Sequence, residues 1–148
     1  MRLTFKTLLT CLVVAFIAGC ESKPEGRMTV YPTTGSVTVD GSSAEGVKIV
    51  LYGATPDLQG PGTVAPYAIT DAEGKFSLTS YESNDGAPAG SFKVCAIWPE
   101  PTPPDADEEF FEPEDRLKGK YETPDSTPLQ TTVEEGGSEL PPFELSTK

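Results

Sequence analysis

Histidine is absent from this 148-residue sequence, and that absence excludes a wide range of chemistry. Serine–histidine and cysteine–histidine pairs need an imidazole as the general base, and most protein zinc sites use histidine or several cysteines. Cysteines number only three. No nucleophile–base pair can be picked out among the remaining serines, threonines and carboxylates. The sequence therefore predicts a protein that is not an enzyme, with no catalytic residue, no metal site and no cofactor.

Basic side chains are also scarce. Eleven lysines and arginines stand against 23 aspartates and glutamates, which gives a formal net charge of −12. A chain this acidic is repelled by nucleic-acid phosphates and by anionic lipid headgroups. The charge therefore excludes nucleic acid as a partner. It also means that any attachment to a membrane must come from something other than a basic patch.

The sequence has no apolar run long enough to span a bilayer. The N-terminal run Leu8–Ala18 contains only 11 residues, whereas a spanning helix needs about 20. A positive start from Arg2 and Lys6, a short apolar core and small residues behind it are typical of a cleaved secretory signal. We therefore expect residues 1–19 to be a signal peptide.

The predicted signal ends on Ile17-Ala18-Gly19-Cys20. This ending resembles the lipobox of bacterial lipoproteins, in which an aliphatic residue and two small residues precede a cysteine. The resemblance implies a diacylglyceryl group on Cys20, and two acyl chains suffice for stable anchoring. It also implies a location at the cell membrane or outer membrane, with the domain facing the periplasm or exterior. The alternative is an ordinary signal cut elsewhere, with Cys20 incidental.

Cysteine usage leaves no disulfide within the chain. Cys11 belongs to the signal and Cys20 is the predicted lipidation site, so Cys95 has no partner. The domain must then be held together by core packing. Without a histidine or a second cysteine nearby, Cys95 is expected to be an inert, half-buried thiol.

From Gly35 onward, short runs of alternating apolar and polar residues are separated by turn residues, which is typical of sheets with one wet face. The clearest run, Ser91–Trp98, places Phe92, Val94, Ala96 and Trp98 on one inward face. The pattern predicts seven strands, at residues 35–39, 47–52, 64–70, 75–79, 91–98, 129–133 and 140–145.

The expected fold class is all-β: a seven-strand antiparallel β-sandwich behind a cleaved signal peptide. Residues 20–34 are polar and contain two prolines, so we expect a tether there. Residues 35–148 form the predicted domain, with an acidic, proline-rich insertion at about 99–127.

Several short motifs follow one another in a fixed order along the chain: Gly35-x-Val37-x-x-Asp40-Gly41, Gly46-Val47, Thr70–Phe76, Gly90–Val94 and Glu139–Leu145. Their order resembles the carboxypeptidase regulatory-like, or transthyretin-like, β-sandwich family, and also planctomycete-type lipoproteins with such a domain. The resemblance implies a prealbumin-like sandwich with an accessory or adhesion role.

Two activities found in related folds do not carry over to this chain. An enzyme branch of the transthyretin-like fold uses histidines, which this chain lacks. A related branch forms a Lys–Asn isopeptide bond, but the asparagine here, Asn84, is far from the final strand.

Two features raise ligand binding as an alternative. The segment Asp105–Asp115 holds seven acids, which suits calcium, but it lacks the glycine and glutamate that a calcium loop would need at Phe110 and Arg116. The more conservative interpretation is a solvated acidic insertion. Trp98 could present a sugar-stacking surface with Tyr67, Tyr81 or Tyr121, although its shared face with Phe92 favours a core or core-edge position.

These observations predict a non-catalytic envelope lipoprotein that displays a transthyretin-like β-sandwich, for contact with another envelope protein or for structural support. The alternative is a surface module that binds calcium or a glycan.

Overall fold

The structure is a computed structural model that describes residues 26–106 and 111–148. The predicted signal peptide and Cys20 lie outside these ranges. Within them, the one helical element is a 3₁₀ turn at Pro56–Leu58. No helix in the described part is long and apolar enough to cross a membrane.

The fold is all-β, as predicted. Each of the seven predicted segments overlaps an observed strand, and the added strands β1, β3, β7 and β10 have two residues each. The strands are β1 (Val30–Tyr31), β2 (Thr33–Val39), β3 (Ser42–Ser43), β4 (Lys48–Gly53), β5 (Tyr67–Ile69), β6 (Lys75–Ser77), β7 (Ala87–Pro88), β8 (Gly90–Ile97), β9 (Gln130–Val133), β10 (Ser138–Glu139) and β11 (Phe143–Leu145).

One sheet has the strand order β5-β4-β8-β9, and all of its pairs are antiparallel. Its centre is the β4–β8 pair, which runs from Lys48 opposite Ile97 to Gly53 opposite Phe92. This long pairing lets the two strands present one continuous apolar face, because side chains alternate between the two faces of a sheet.

The other layer is built around β2. Strands β6 and β3 pair with β2 in the antiparallel direction. Strands β10 and β11 pair with it in parallel, with Ser138 opposite Thr33 and Phe143 opposite Val37. The expectation of a wholly antiparallel sandwich is therefore wrong at β2. The apolar–polar alternation that revealed these strands is the same in either direction, so it carried no information on this point.

The inner faces of the two layers form one apolar core, an arrangement consistent with a β-sandwich. The rings of Phe76 and Phe143 stack with centroids 5.9 Å apart. The predicted inward face of β8 is confirmed, since Phe92, Val94 and Ala96 are 2%, 0% and 1% exposed. Other members of the same core are Val37, Val39, Ile49, Leu51, Leu78, Val133 and Leu145.

Regular structure begins before Gly35, inside the segment that was expected to be a tether. Strand β1 pairs with β7, with Val30 opposite Pro88. Just ahead of it, the Met28 N–H donates to the Tyr81 hydroxyl at 3.0 Å. That hydroxyl donates in turn to the Gly62 carbonyl at 3.1 Å. These bonds fix the chain to the sandwich from Met28 onward.

Candidate functional sites

Trp98 follows β8 and packs, half-buried, against the edge of the core. The Arg116 guanidinium carbon lies 3.3 Å from the centroid of its ring, a cation–π stack. The indole Nε1–H donates to the Glu45 carbonyl at 2.9 Å. One face of the Trp98 ring is therefore covered by Arg116, and the single polar atom of the side chain, Nε1, already has a hydrogen-bond acceptor. This arrangement agrees with a core-edge position and leaves little of the ring for stacking on a sugar.

Asp115 is the last acid of the Asp105–Asp115 segment. Its carboxylate accepts hydrogen bonds from backbone N–H groups and is not free to bind a metal ion. Its Oδ1 accepts from the Trp98 N–H at 2.8 Å and from the Leu117 N–H at 3.0 Å. Its Oδ2 accepts from the Gly119 N–H at 2.9 Å. Three charge-assisted hydrogen bonds thus tie the end of β8 to the turn after the acidic segment.

The calcium interpretation finds no support in the part of the chain that the structure describes. No group of three or more aspartate, glutamate or cysteine side chains there is arranged to hold a metal ion. Four residues of the segment, 107–110, lie outside the described ranges. Asp105, Glu112 and Glu114 are exposed, as expected for a solvated acidic loop.

Cys95 lies on the face of β8 opposite Phe92, as the alternation predicts, but it is 3% exposed and so more deeply buried than expected. It sits opposite Val50 of β4, in the middle of the four-stranded sheet. Burial raises the pKa of the Cys95 thiol. A raised pKa disfavours the reactive thiolate, so the geometry supports an inert role for this cysteine.

Asp40 fastens the C-terminal end of the chain. It occupies the turn after β2 with φ of 49°, and its carboxylate accepts from the hydroxyls of Ser146 at 3.0 Å and Thr147 at 2.6 Å. These hydrogen bonds, led by the one from Thr147, lower the pKa of Asp40. The carboxylate is used to hold the chain terminus and not to face a cleft.

The sequence interpretation missed a groove beside β5. It is bordered by the exposed side chains of Tyr67 and Ile69 and by Lys75, Asn84 and Glu139. The feature of the sequence that could have indicated an exposed apolar surface here was the pair Tyr67 and Ile69. They flank Ala68 at a spacing of two, so both large side chains share one face of a strand whose inward residue is small.

Comparison with known proteins gives no relative: no family model, no curated protein and no solved structure matches this chain.

Proposed function

We propose that this chain is a non-catalytic lipoprotein, anchored through lipid on Cys20, that displays a transthyretin-like β-sandwich at an envelope membrane. The role of the sandwich in this proposal is contact with another envelope protein or structural support. The observation that carries the proposal is the Ile17-Ala18-Gly19-Cys20 sequence behind a short apolar run.

The distance from Cys20 to the domain supports surface display. The first hydrogen bond that fixes the described chain to the sandwich is made by Met28. An extended chain advances about 3.3–3.6 Å per residue, so eight residues span at most about 29 Å. A lipid on Cys20 would therefore hold the sandwich within about 29 Å of the lipidated residue.

The side-chain chemistry of the described residues supports a role without catalysis. The carboxylates of Asp40, Asp71, Asp85 and Asp115 accept hydrogen bonds from the protein's own turns and terminus. The thiol of Cys95 is buried. These four carboxylates and this thiol are thus engaged in holding the fold.

The transthyretin-like assignment rests on where the family-like motifs fall. Asp40-Gly41 lies in the turn that ends β2, and both residues have positive φ. Asp71–Gly74 forms the turn between β5 and β6, where Asp71 Oδ1 accepts from the N–H groups of Glu73 and Lys75. Two of the motifs thus lie in hydrogen-bonded turns next to strands of the sandwich, which supports the proposal.

The lipid anchor is tested by changing Cys20→Ala in the full-length precursor. The variant should remain unprocessed by the lipoprotein peptidase and should lose the acyl-dependent partition of the wild type into the detergent phase. Cys95→Ala is the matched control, because it removes a cysteine of the domain and should leave processing and partition unchanged. Processing of Cys20→Ala at the same site, or acyl mass on another residue, would rule out the anchor.

A further inference from the structure

The groove beside β5 has the size and lining of a ligand site. Its volume is about 770 Å³, within the range of about 300–1,000 Å³ typical of small-molecule sites. Hydroxyl-bearing residues of β2 and β6, Thr34, Ser36 and Ser77, line it together with Tyr67 and Ile69 of β5. Thr34 pairs with Ser77 across the strands, so these residues form a polar patch next to an apolar wall.

The apolar wall is exposed but rigidly held. Tyr67 and Ile69 are 52% and 58% exposed, while Ala68 between them is buried. Tyr67 exchanges two backbone hydrogen bonds with Thr79, of 2.9 and 2.8 Å, and also pairs with Val50 of β4. The tyrosine ring is therefore a solvent-facing aromatic surface on a backbone that is bonded on both sides.

Three polar side chains at the groove have no side-chain partner among the described residues. Within the described residues, the Lys75 ammonium, the Asn84 amide and the Glu139 carboxylate make no side-chain hydrogen bond or ion pair, although all three line the groove. Asp71, which lines the same groove, differs: its carboxylate is occupied by the turn that it caps. Three polar groups of different kinds, without side-chain partners among the described residues, thus line the same groove as the exposed Tyr67 ring.

We propose that this groove binds a neutral oligosaccharide. The apolar C–H face of a pyranose ring packs on an aromatic face such as that of Tyr67, and sugar hydroxyls pair with amide, hydroxyl, ammonium and carboxylate groups. Lys75 and Glu139 carry opposite charges, and the chain as a whole has a net charge of −12. That balance disfavours a polyanionic glycan.

The sequence raised Tyr67 as one of three tyrosines that could join Trp98 in a sugar-stacking surface, but Trp98 does not line this groove. Trp98 is stacked by Arg116 and its Nε1–H is bonded to Glu45, whereas the Tyr67 side chain makes no such contact within the described residues. Oligosaccharide binding at Tyr67 does not depend on the lipid anchor, and the two proposals are tested by different measurements.

The test is calorimetric titration of the mature chain, in phosphocholine micelles, with two neutral probes: cellohexaose and hexa-N-acetylchitohexaose. We expect saturable binding of at least one probe. Tyr67→Ala should weaken it by about tenfold or more, a loss of about 1.4 kcal/mol of binding free energy. Tyr67→Phe keeps the aromatic face and should retain most of the affinity. Lys75→Ala and Glu139→Gln should each weaken binding severalfold.

Tyr52→Ala is the matched control. Tyr52 is also an exposed tyrosine of the four-stranded sheet, at 42%, but it does not line the groove, so its loss should leave affinity unchanged. Thermal melting of each variant separates loss of the site from loss of the fold. The proposal is overturned if neither probe binds at millimolar concentration, if folded Tyr67→Ala binds as the wild type does, or if oligogalacturonate binds and both neutral probes do not.

Discussion

Three aspartates in this protein act as acceptors for backbone N–H groups. Asp85 shows the pattern: its two oxygens accept from the N–H groups of Ser80, Tyr81 and Glu82. Asp71 and Asp115 do the same in their own turns. A short carboxylate side chain reaches nearby main-chain donors easily, which explains why aspartate favours turns. Some of the many acidic residues of the chain therefore stabilise its turns.

Asp115 gives the sharpest test at this scale. Asp115→Ala removes the acceptor of three backbone N–H groups at the end of β8, and we expect a loss of about 2 kcal/mol or more in the free energy of unfolding. Asp115→Asn keeps one carbonyl oxygen and should cost less. Glu114→Ala, a neighbouring exposed acid of the same segment, should stay within about 0.5 kcal/mol of the wild type. Urea melts measure all three, and equal losses for Asp115→Ala and Glu114→Ala would contradict this role.

At the scale of the element, β8 is the strand on which the core depends most. It pairs with both β4 and β9, and its inward residues are fully buried. The alternation of apolar and polar residues along β8 could be recognised in the sequence, because successive side chains of a strand point to opposite faces of the sheet. A one-residue slip would turn the whole apolar set outward, so the register is strongly specified.

Substitutions along β8 should therefore follow a period of two. Phe92→Ala removes a buried aromatic ring and should cost about 3–5 kcal/mol, a large fraction of a total stability of about 5–15 kcal/mol. Lys93→Ala, at the adjacent position, should be nearly neutral. Trp98→Ala should be intermediate, because it loses partial core packing and the stack with Arg116. Denaturant midpoints decide the order; equal effects of Phe92→Ala and Lys93→Ala would refute the register.

At the scale of the whole molecule, the described domain is stabilised by one apolar core and contains no disulfide bond among its described residues. Cys95 is free and buried within the described residues. The two layers are joined by apolar contact between their inner faces. A single small core of this kind is expected to unfold in one cooperative transition.

The mature chain should give a β-type circular dichroism spectrum and one melting transition that a reductant does not shift. Burial raises the pKa of the Cys95 thiol, so the thiolate that reacts with disulfide reagents is disfavoured in the folded state at neutral pH. Labelling of Cys95 by such a reagent should therefore accelerate only as denaturant unfolds the domain. Rapid labelling in native buffer, or a lower melting temperature with reductant in the monomer, would contradict this.

The sequence by itself determined the features that are local along the chain. The seven predicted strands and the inward face of β8 follow from a period of two, and the turn at Asp71–Gly74 follows from a capping aspartate and a glycine with φ of 75°. Each of these needs only a few neighbouring residues. The four two-residue strands β1, β3, β7 and β10 are too short to show such a period. The lipobox at Cys20 is local in the same sense, and it remains a prediction because it lies outside the described residues.

Only the tertiary structure decided what depends on residues far apart in sequence. The parallel pairing of β11 with β2 places Phe143 opposite Val37. The alternation of apolar and polar residues does not reveal the direction of a strand. The sequence predicted a core or core-edge position for Trp98, but its partners, Arg116 and the Glu45 carbonyl, are known only from the structure. The groove likewise brings Thr34, Tyr67 and Glu139 together. No local pattern links such positions, because their proximity is set by how the two layers pack.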